Sequence, residues 1–297
     1  MSSVIPILLL FLSGYVFSKF LKEQNHSHAL IDIILYFIFP AFIIYKIHFL
    51  EFNSDIYRVV FLGFCAFSFG VVLSLLVGNF LKLNKNTTAM IMISTAFGNT
   101  SFLGFAFVES LYGDYALSLA IFYDQIAVMV LLSIFSPMIV NYATDQSFQA
   151  KKIIKSIITF PPTIAFVIAI ASRTIEFPIV FTNYLEKISL LLVPIVVFAV
   201  GMKFQLRSIN NRLKEVGVTL AIKMVLIPLL IYLIATIFFQ IDIATKTAIL
   251  ESAMPPMVLA TVIAIKNGLD EELGLASLGL GMILSFVTIP LIAMLLN

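Results

Sequence analysis

The feature that most constrains this chain is a succession of apolar stretches, each separated from the next by a short polar break. Ten of them can be traced, at roughly residues 3–21, 29–47, 56–80, 88–110, 115–140, 153–172, 182–203, 214–239, 244–266 and 272–296. A helix of about 20 residues crosses the hydrocarbon core of a bilayer, so each stretch is long enough to span it. Lipid permits only helices and closed barrels, and no alternating pattern typical of barrel strands is present. We therefore predict an all-α polytopic membrane protein with ten transmembrane helices.

The composition agrees with a membrane environment and excludes several classes of protein. The chain is 61% hydrophobic and only 11% charged, whereas soluble domains carry about 25% charged residues. So few charges could not cover the surface of a soluble protein. The net charge of +2 is small and not clustered, so we expect no nucleic-acid partner.

The orientation in the membrane is predicted from the Lys and Arg residues in the short loops. Twelve of the 18 Lys and Arg residues lie in or beside the odd-numbered loops and four in the even-numbered ones. Because basic residues concentrate on the cytoplasmic side, the odd-numbered loops should face the cytoplasm. Both termini should then lie outside it, and we expect an integral protein of a bacterial inner (cell) membrane.

The two halves of the sequence resemble each other. Pro6 and Pro161 are 155 positions apart, Pro40 and Pro194 are 154 apart, and Gly98 and Pro255 are 157 apart. Near-constant offsets indicate an internal duplication. Since each half holds five spans, an odd number, the halves must cross the membrane in opposite directions, as in the inverted repeats of secondary transporters. We expect a first repeat at 1–140, a cytoplasmic linker at 141–152 and a second repeat at 153–297.

Two of the predicted helices carry interruptions at corresponding places in the repeats. The fourth contains Gly98, Asn99, Thr100 and Ser101, and the ninth contains the pair Pro255-Pro256. Consecutive prolines remove two backbone donors, and the second disfavours helical geometry in the residue before it. Broken helices near the midplane expose N–H groups that favour an anion and carbonyls that favour a cation. Paired interruptions of this kind indicate a transport site.

The motifs at these breaks resemble those of a known family. The run Gly98-Asn99-Thr100-Ser101-Phe102-Leu103-Gly104 resembles the GN-x-x-F-x-G motif of the auxin efflux carrier family, and Glu251-Ser252-Ala253-Met254-Pro255-Pro256 looks like its helix-9 motif. The segments 223–230 and 285–290 are similar to its helix-8 and helix-10 patterns. The short central linker differs from the long loop of many plant carriers, which favours the branch of bacterial permeases for malate or malonate over auxin itself.

The resemblance implies a fold and a function. The fold would be a ten-helix one akin to bile-acid symporters and sodium–proton antiporters, with helices 4 and 9 crossing each other. The function would be export or exchange of small organic anions, in particular carboxylates, as one domain moves against a fixed scaffold. We expect Gly98, Asn99, Thr100, Ser101, Pro255 and Pro256 to form the substrate site.

Ionisable residues inside predicted spans are candidates for ion coupling, because a charge in the bilayer is costly unless it is used or paired. Asp124 and Gln125 lie in the middle of the fifth span, and Glu251 lies one turn before the break in the ninth. We expect these three residues to carry a coupling proton or sodium ion. Lys223, in the eighth span, could pair with either carboxylate or could itself be functional.

The sequence offers no support for catalysis. His26, His28 and His48 lie in loops or at helix ends, and no P-loop or other nucleotide motif is present. We therefore expect no enzyme, no metal centre and no cofactor beyond a coupling proton or sodium ion. The expected partners are a small organic anion and the lipid bilayer, and a second copy of the chain in a homodimer is a further candidate. Two alternatives stay open, a sodium-coupled symporter of amphipathic anions and a non-transporting receptor with a carrier fold.

Overall fold

The structure is a computed structural model. It describes residues 5–20, 30, 32–50, 52–144, 155, 158–204 and 212–296, and no strand is present in these ranges. The helices in chain order are α1 Ile5–Phe20, α2 Ile34–His48, α3 Ser54–Phe80, α4 Lys85–Ala96, α5 at 100–112, α6 at 114–143, α7 Pro161–Ala171, α8 Ile179–Ser189, α9 Leu192–Lys203, α10 Leu213–Phe238, α11 Ile243–Ser252, α12 Val258–Lys266 and α13 Glu271–Leu296. Of the predicted linker, only residues 141–144 lie within the described ranges, and residues 141–143 end α6.

Long apolar helices dominate the described chain. Five helical segments are long and apolar enough to cross a membrane, namely Ser54–Phe80, Thr100–Ala143, Ile179–Met202, Leu213–Phe238 and Glu271–Leu296. The second of them has 44 residues, about twice the length that one crossing requires. Gly113 divides it into α5 and α6, because its φ of 81° lies in the left-handed region that favours glycine. The chain is thus an all-helical membrane protein.

Polar side chains start the helices at several of the predicted breaks. The side chains of Asn53, Asn84, Asp242 and Asp270 each accept a hydrogen bond from a backbone N–H in the first turn of α3, α4, α11 and α13, respectively. Such caps satisfy N–H groups that have no partner within the helix. These four side chains thus fix the residue at which the next helix begins.

The helices pack into two groups. In the first, α1 packs on α9, and α2 packs on α7 and α8; in the second, α3–α6 and α10–α13 pack on one another. The approach of α1 to α9 is close, because a Cβ atom on either Gly14 or Gly201 would lie 2.0 Å from a carbonyl oxygen of the other helix. Where the groups meet, Phe39 of α2 lies 5.8 Å from Phe105 of α5, between ring centroids. Aromatic packing therefore forms part of the contact between the groups.

Candidate functional site

The interruptions in the structure fall at the residues where the sequence predicts them. Helix α4 ends at Ala96 and α5 begins at residue 100, while α11 ends at Ser252 and α12 begins at Val258. Residues 97–99 and 253–257 are buried in the interior. We call these two segments together the crossing.

Backbone hydrogen bonds join the two segments of the crossing. The N–H of Asn99 donates to the carbonyl of Pro255 at 2.7 Å, and the N–H of Met257 donates to the carbonyl of Phe97 at 3.0 Å. Gly98 and Pro256 lie opposite each other in this short antiparallel bridge. The prolines have no N–H to donate, so the carbonyl of Pro255 contributes the contact. As a result, the N-terminal ends of α5 and α12 and the C-terminal ends of α4 and α11 meet at one place.

Asp124 is fully buried and bound by three donors. The hydroxyls of Thr100 and Ser101 donate to its Oδ1 at 2.5 and 2.6 Å, and the side-chain amide of Gln125 donates to its Oδ2 at 2.8 Å. The structure thus brings together four of the residues predicted for the site. It also shows that the hydroxyls of Thr100 and Ser101, expected to contact a substrate, are hydrogen-bonded to Asp124.

Glu251 is equally buried but has a different environment. Among the described residues, neither of its carboxyl oxygens has a hydrogen-bond partner. The carboxyl packs against Gly104, where an added Cβ atom would lie 2.2 Å from Oε2. Gly104 therefore leaves the space that the carboxyl fills. A buried carboxyl without a partner is costly, so Glu251 is a candidate for binding a proton or a cation.

Lys223 of α10 also reaches the crossing. Its side chain is 3% exposed, and its Nζ lies 3.1 Å from the position of a Cβ atom built on Gly98. Within the described ranges, it forms an ion pair with neither Asp124 nor Glu251. It nevertheless lies close enough to Glu251 for the two charges to interact, as does Asp124.

Two side-chain amides at the crossing also carry polar atoms without a hydrogen-bond partner. In the part of the chain that is described, Asn99 Nδ2 and Gln125 Oε1 are buried without a partner. Buried polar atoms without a hydrogen bond are few in native proteins, and each requires an explanation. Here they cluster with Lys223 and Glu251 around the crossing. The cluster offers an amide donor and an ammonium for an anion, and a carboxyl for a proton or a cation.

For two contributors to this geometry, the contact at the crossing could not be predicted from the sequence. Gly104 appears in the motif but was not assigned to the site, and its role follows from its contact with Glu251. Lys223 is expected from the sequence either to pair with a carboxylate or to be functional itself, but its position beside Gly98 could not be predicted. The position of Lys223 inside an apolar span was the available signal.

A comparison with protein families decides the class to which these features belong. The family model for a membrane transport protein matches residues 1–293. The chain belongs to this family of membrane transport proteins. The resemblance to auxin efflux carriers is thereby confirmed, because this is the family that includes them.

Two relatives align with this chain over nearly the full length of both proteins. An uncharacterized transporter of Methanothermobacter thermautotrophicus is 22% identical over 294 residues, which cover 97% of this chain and 96% of that protein. An uncharacterized transporter of Methanocaldococcus jannaschii is 24% identical over 307 residues, which cover 98% of this chain and 97% of that protein. The similarity extends over the whole chain and is not confined to the motifs at the crossing.

Proposed function

We propose that this protein is a secondary active transporter of small organic anions, in particular carboxylates, and that it binds them at the crossing. The observation that carries the proposal is the pair of donors there, the buried Lys223 ammonium and the Asn99 amide, whose Nδ2 has no hydrogen-bond partner among the described residues. A carboxylate accepts hydrogen bonds only, so it is the kind of group that both donors can bind. The N-terminal ends of α5 and α12 add a partial positive charge.

The carboxyls supply the coupling in this proposal. With Asp124, Glu251 and Lys223 all ionised, two negative charges and one positive charge leave a single net negative charge at the crossing. One proton or one monovalent cation neutralises it, and an arriving carboxylate then meets a neutral site. Glu251 is the group that takes up the proton or contacts the cation, because its oxygens have no partner among the described residues. Asp124 and Gln125 hold the adjoining end of α5 through Thr100 and Ser101.

The proposal includes ten transmembrane helices arranged as two inverted repeats. Gly113 and Gly268 support it: both have positive φ, both precede the last helix of a half, and they are 155 positions apart. Arg58 near the start of α3 and Arg212 beside the start of α10 are 154 apart, and each pairs with an aspartate that caps a later helix. These offsets match those between the prolines of the two halves.

The movement in this proposal is an elevator-type alternating access. The group formed by α1, α2 and α7–α9 is the scaffold, and the helices around the crossing carry the site past it. Three contacts between phenylalanine rings support this division, since they join α2 to α5 at centroid distances of 5.8 to 6.4 Å. Apolar surfaces of this kind make few directional bonds that would have to break during sliding.

The orientation is part of the proposal and has its own test. Both termini lie outside the cytoplasm, because the odd-numbered predicted loops hold twelve basic residues and the even-numbered loops hold four. Basic residues concentrate in cytoplasmic loops. A C-terminal tag should be accessible to antibody on intact cells or spheroplasts. Accessibility only after permeabilisation would reverse the orientation and require the repeats to be reassigned to opposite sides.

A flux assay tests the function itself. Purified protein in proteoliposomes is presented with a panel of small carboxylates, with pH and sodium varied independently. We expect saturable carboxylate flux that is lost in Lys223→Gln and retained in Lys187→Gln, whose lysine is exposed. Flux that strictly requires sodium and prefers amphipathic anions would favour the symporter alternative. Binding without flux would favour a receptor.

A further inference from the structure

Two buried hydroxyls outside the crossing have no assigned role. Ser94 of α4 and Ser277 of α13 are both 0% exposed, and neither Oγ atom has a hydrogen-bond partner within the described residues. Other buried hydroxyls donate to a carbonyl one turn back in their own helix, as those of Ser74, Ser252, Thr261 and Ser285 do. The hydroxyls of Ser94 and Ser277 do not make this usual contact and are free to bind another group.

The register of α4 against α13 places the two serines on facing sides. Thr87 Oγ1 donates to Asp270 Oδ2 at 3.0 Å, and the Met90 sulfur lies 2.9 Å from a Cβ atom built on Gly274. Ser94 follows Thr87 by seven residues, and Ser277 follows Asp270 by seven. Seven residues are about two helical turns, so both serines continue the line of these contacts.

This line leads directly to the crossing. Gly281, one turn beyond Ser277, lies against Pro255 and Pro256, with 3.0 Å from each to a Cβ atom built on the glycine. Ser94 belongs to the last turn of α4, which ends at Ala96. The last carbonyls of a helix have no N–H partner within it and carry a partial negative charge. Two hydroxyl oxygens and the carbonyl end of α4 thus belong to the line of contacts between α4 and α13 that ends at the crossing.

This combination points to a small cation rather than an anion. All the groups are neutral oxygens, the helix end is negative, and the nearby ionised cluster carries one net negative charge. Divalent calcium or magnesium binds mainly through carboxylates, and the described residues contain no group of three His, Cys, Asp or Glu that could hold a metal ion. A bound water would satisfy the hydroxyls but would leave the net charge in place.

We propose that Ser94, Ser277 and the carbonyl end of α4 bind a small monovalent cation, with sodium as the ion to test. The positive charge of this cation lowers the net negative charge at the crossing. Its role in coupling rests on the proposed transport function, whereas its binding does not. A measurement of binding alone therefore distinguishes failure of this site from failure of the transport proposal.

Thermal stability of the purified protein provides that measurement. A ligand that binds only the folded state raises its stability with concentration, so sodium chloride is titrated against choline chloride at constant ionic strength and pH. We expect a saturable rise in Tm specific to sodium. Ser94→Ala and Ser277→Ala should each raise the midpoint sodium concentration at least about 10-fold, the effect of about 1.4 kcal/mol. Ser285→Ala should leave it unchanged, because this buried serine of α13 donates to the Met282 carbonyl.

Two further variants keep the result decisive if an alanine variant is too unstable to purify. Ser94→Thr and Ser277→Thr retain the hydroxyl oxygen and should keep the sodium midpoint within a few-fold of the unmodified protein. The absence of a sodium-specific rise in Tm would overturn the site and leave water as the partner of the hydroxyls. An equal midpoint in all the serine variants would also overturn it, by placing the cation elsewhere.

Discussion

Gly104 leaves the space that the carboxyl of Glu251 occupies. A Cβ atom on Gly104 would lie 2.2 Å from Oε2 and 2.8 Å from Cδ of that glutamate. The two residues belong to the two interrupted helices on either side of the crossing, so this contact couples their positions. A single methyl group should therefore disturb the carboxyl without removing it.

We predict that Gly104→Ala impairs transport through displacement of Glu251. Overpacking of this kind typically costs about 1–3 kcal/mol of folding stability, so Tm should fall while the protein stays folded. The dependence of flux on pH or sodium should shift as well. Gly217→Ala is the matched control, because a Cβ atom on this helical glycine meets nothing within 4 Å. If Gly104→Ala and Gly217→Ala have the same ion profile, Glu251 does not take part in coupling.

Asp124→Asn should change coupling more than folding. The asparagine keeps the oxygen that accepts from Thr100 and Ser101. Its new NH2 group faces Gln125, which can turn its side-chain amide and offer Oε1, an atom without a partner among the described residues. The hydrogen bonds can thus be retained while the charge is lost. We expect a Tm close to that of the unmodified protein and an altered pH and sodium profile of flux; an unaltered profile would show that the charge of Asp124 is not used.

The ion pair between Arg58 and Asp242 should make stability depend on pH. Burial alone would raise the pKa of Asp242, but hydrogen bonds from the Thr245 backbone and from Arg58 favour the ionised form, so the pKa lies below its usual value. The stabilisation is therefore present at neutral pH and is lost as the pH falls below about 4, where the carboxyl takes up a proton.

Asp242→Asn isolates this contribution, because asparagine still caps α11. We predict that the variant has a lower Tm than the unmodified protein at pH 7 and that the difference shrinks as the pH falls below about 4. Melting curves of both proteins across this range provide the measurement. A difference in Tm that stays constant with pH would mean that the charge of Asp242 contributes nothing.

Much of the architecture could be predicted from the sequence because apolar length and Pro and Gly positions are local signals. The interruptions at Gly98-Asn99 and Pro255-Pro256 follow from missing donors and permissive backbone, and the structure places them there. The contact between Asp124 and Thr100 could not be predicted in this way, because it joins residues 24 positions apart through the rotation of two helices. The same limit applies to Ser94 and Ser277. Whether their hydroxyls have hydrogen-bond partners depends on how α4 and α13 pack, which the sequence does not show.

The Asn99 side chain provides the most direct test of a carboxylate site at the crossing. The backbone N–H and carbonyl of Asn99 already join Pro255 and Gly104, whereas the Nδ2 atom has no partner in the described structure. Asn99→Ala should therefore keep the fold and lose a donor to the substrate. A hydrogen bond to a charged group contributes about 1.5–3 kcal/mol, which corresponds to about 10- to 150-fold in affinity.

The decisive measurement is substrate affinity and Tm on one purified sample of Asn99→Ala, using the carboxylate that gives the highest flux in the proteoliposome panel. We predict affinity lower by about 10- to 150-fold and a Tm close to that of the unmodified protein. Unchanged affinity in a well-folded Asn99→Ala sample would contradict the account and remove the carboxylate site from the crossing.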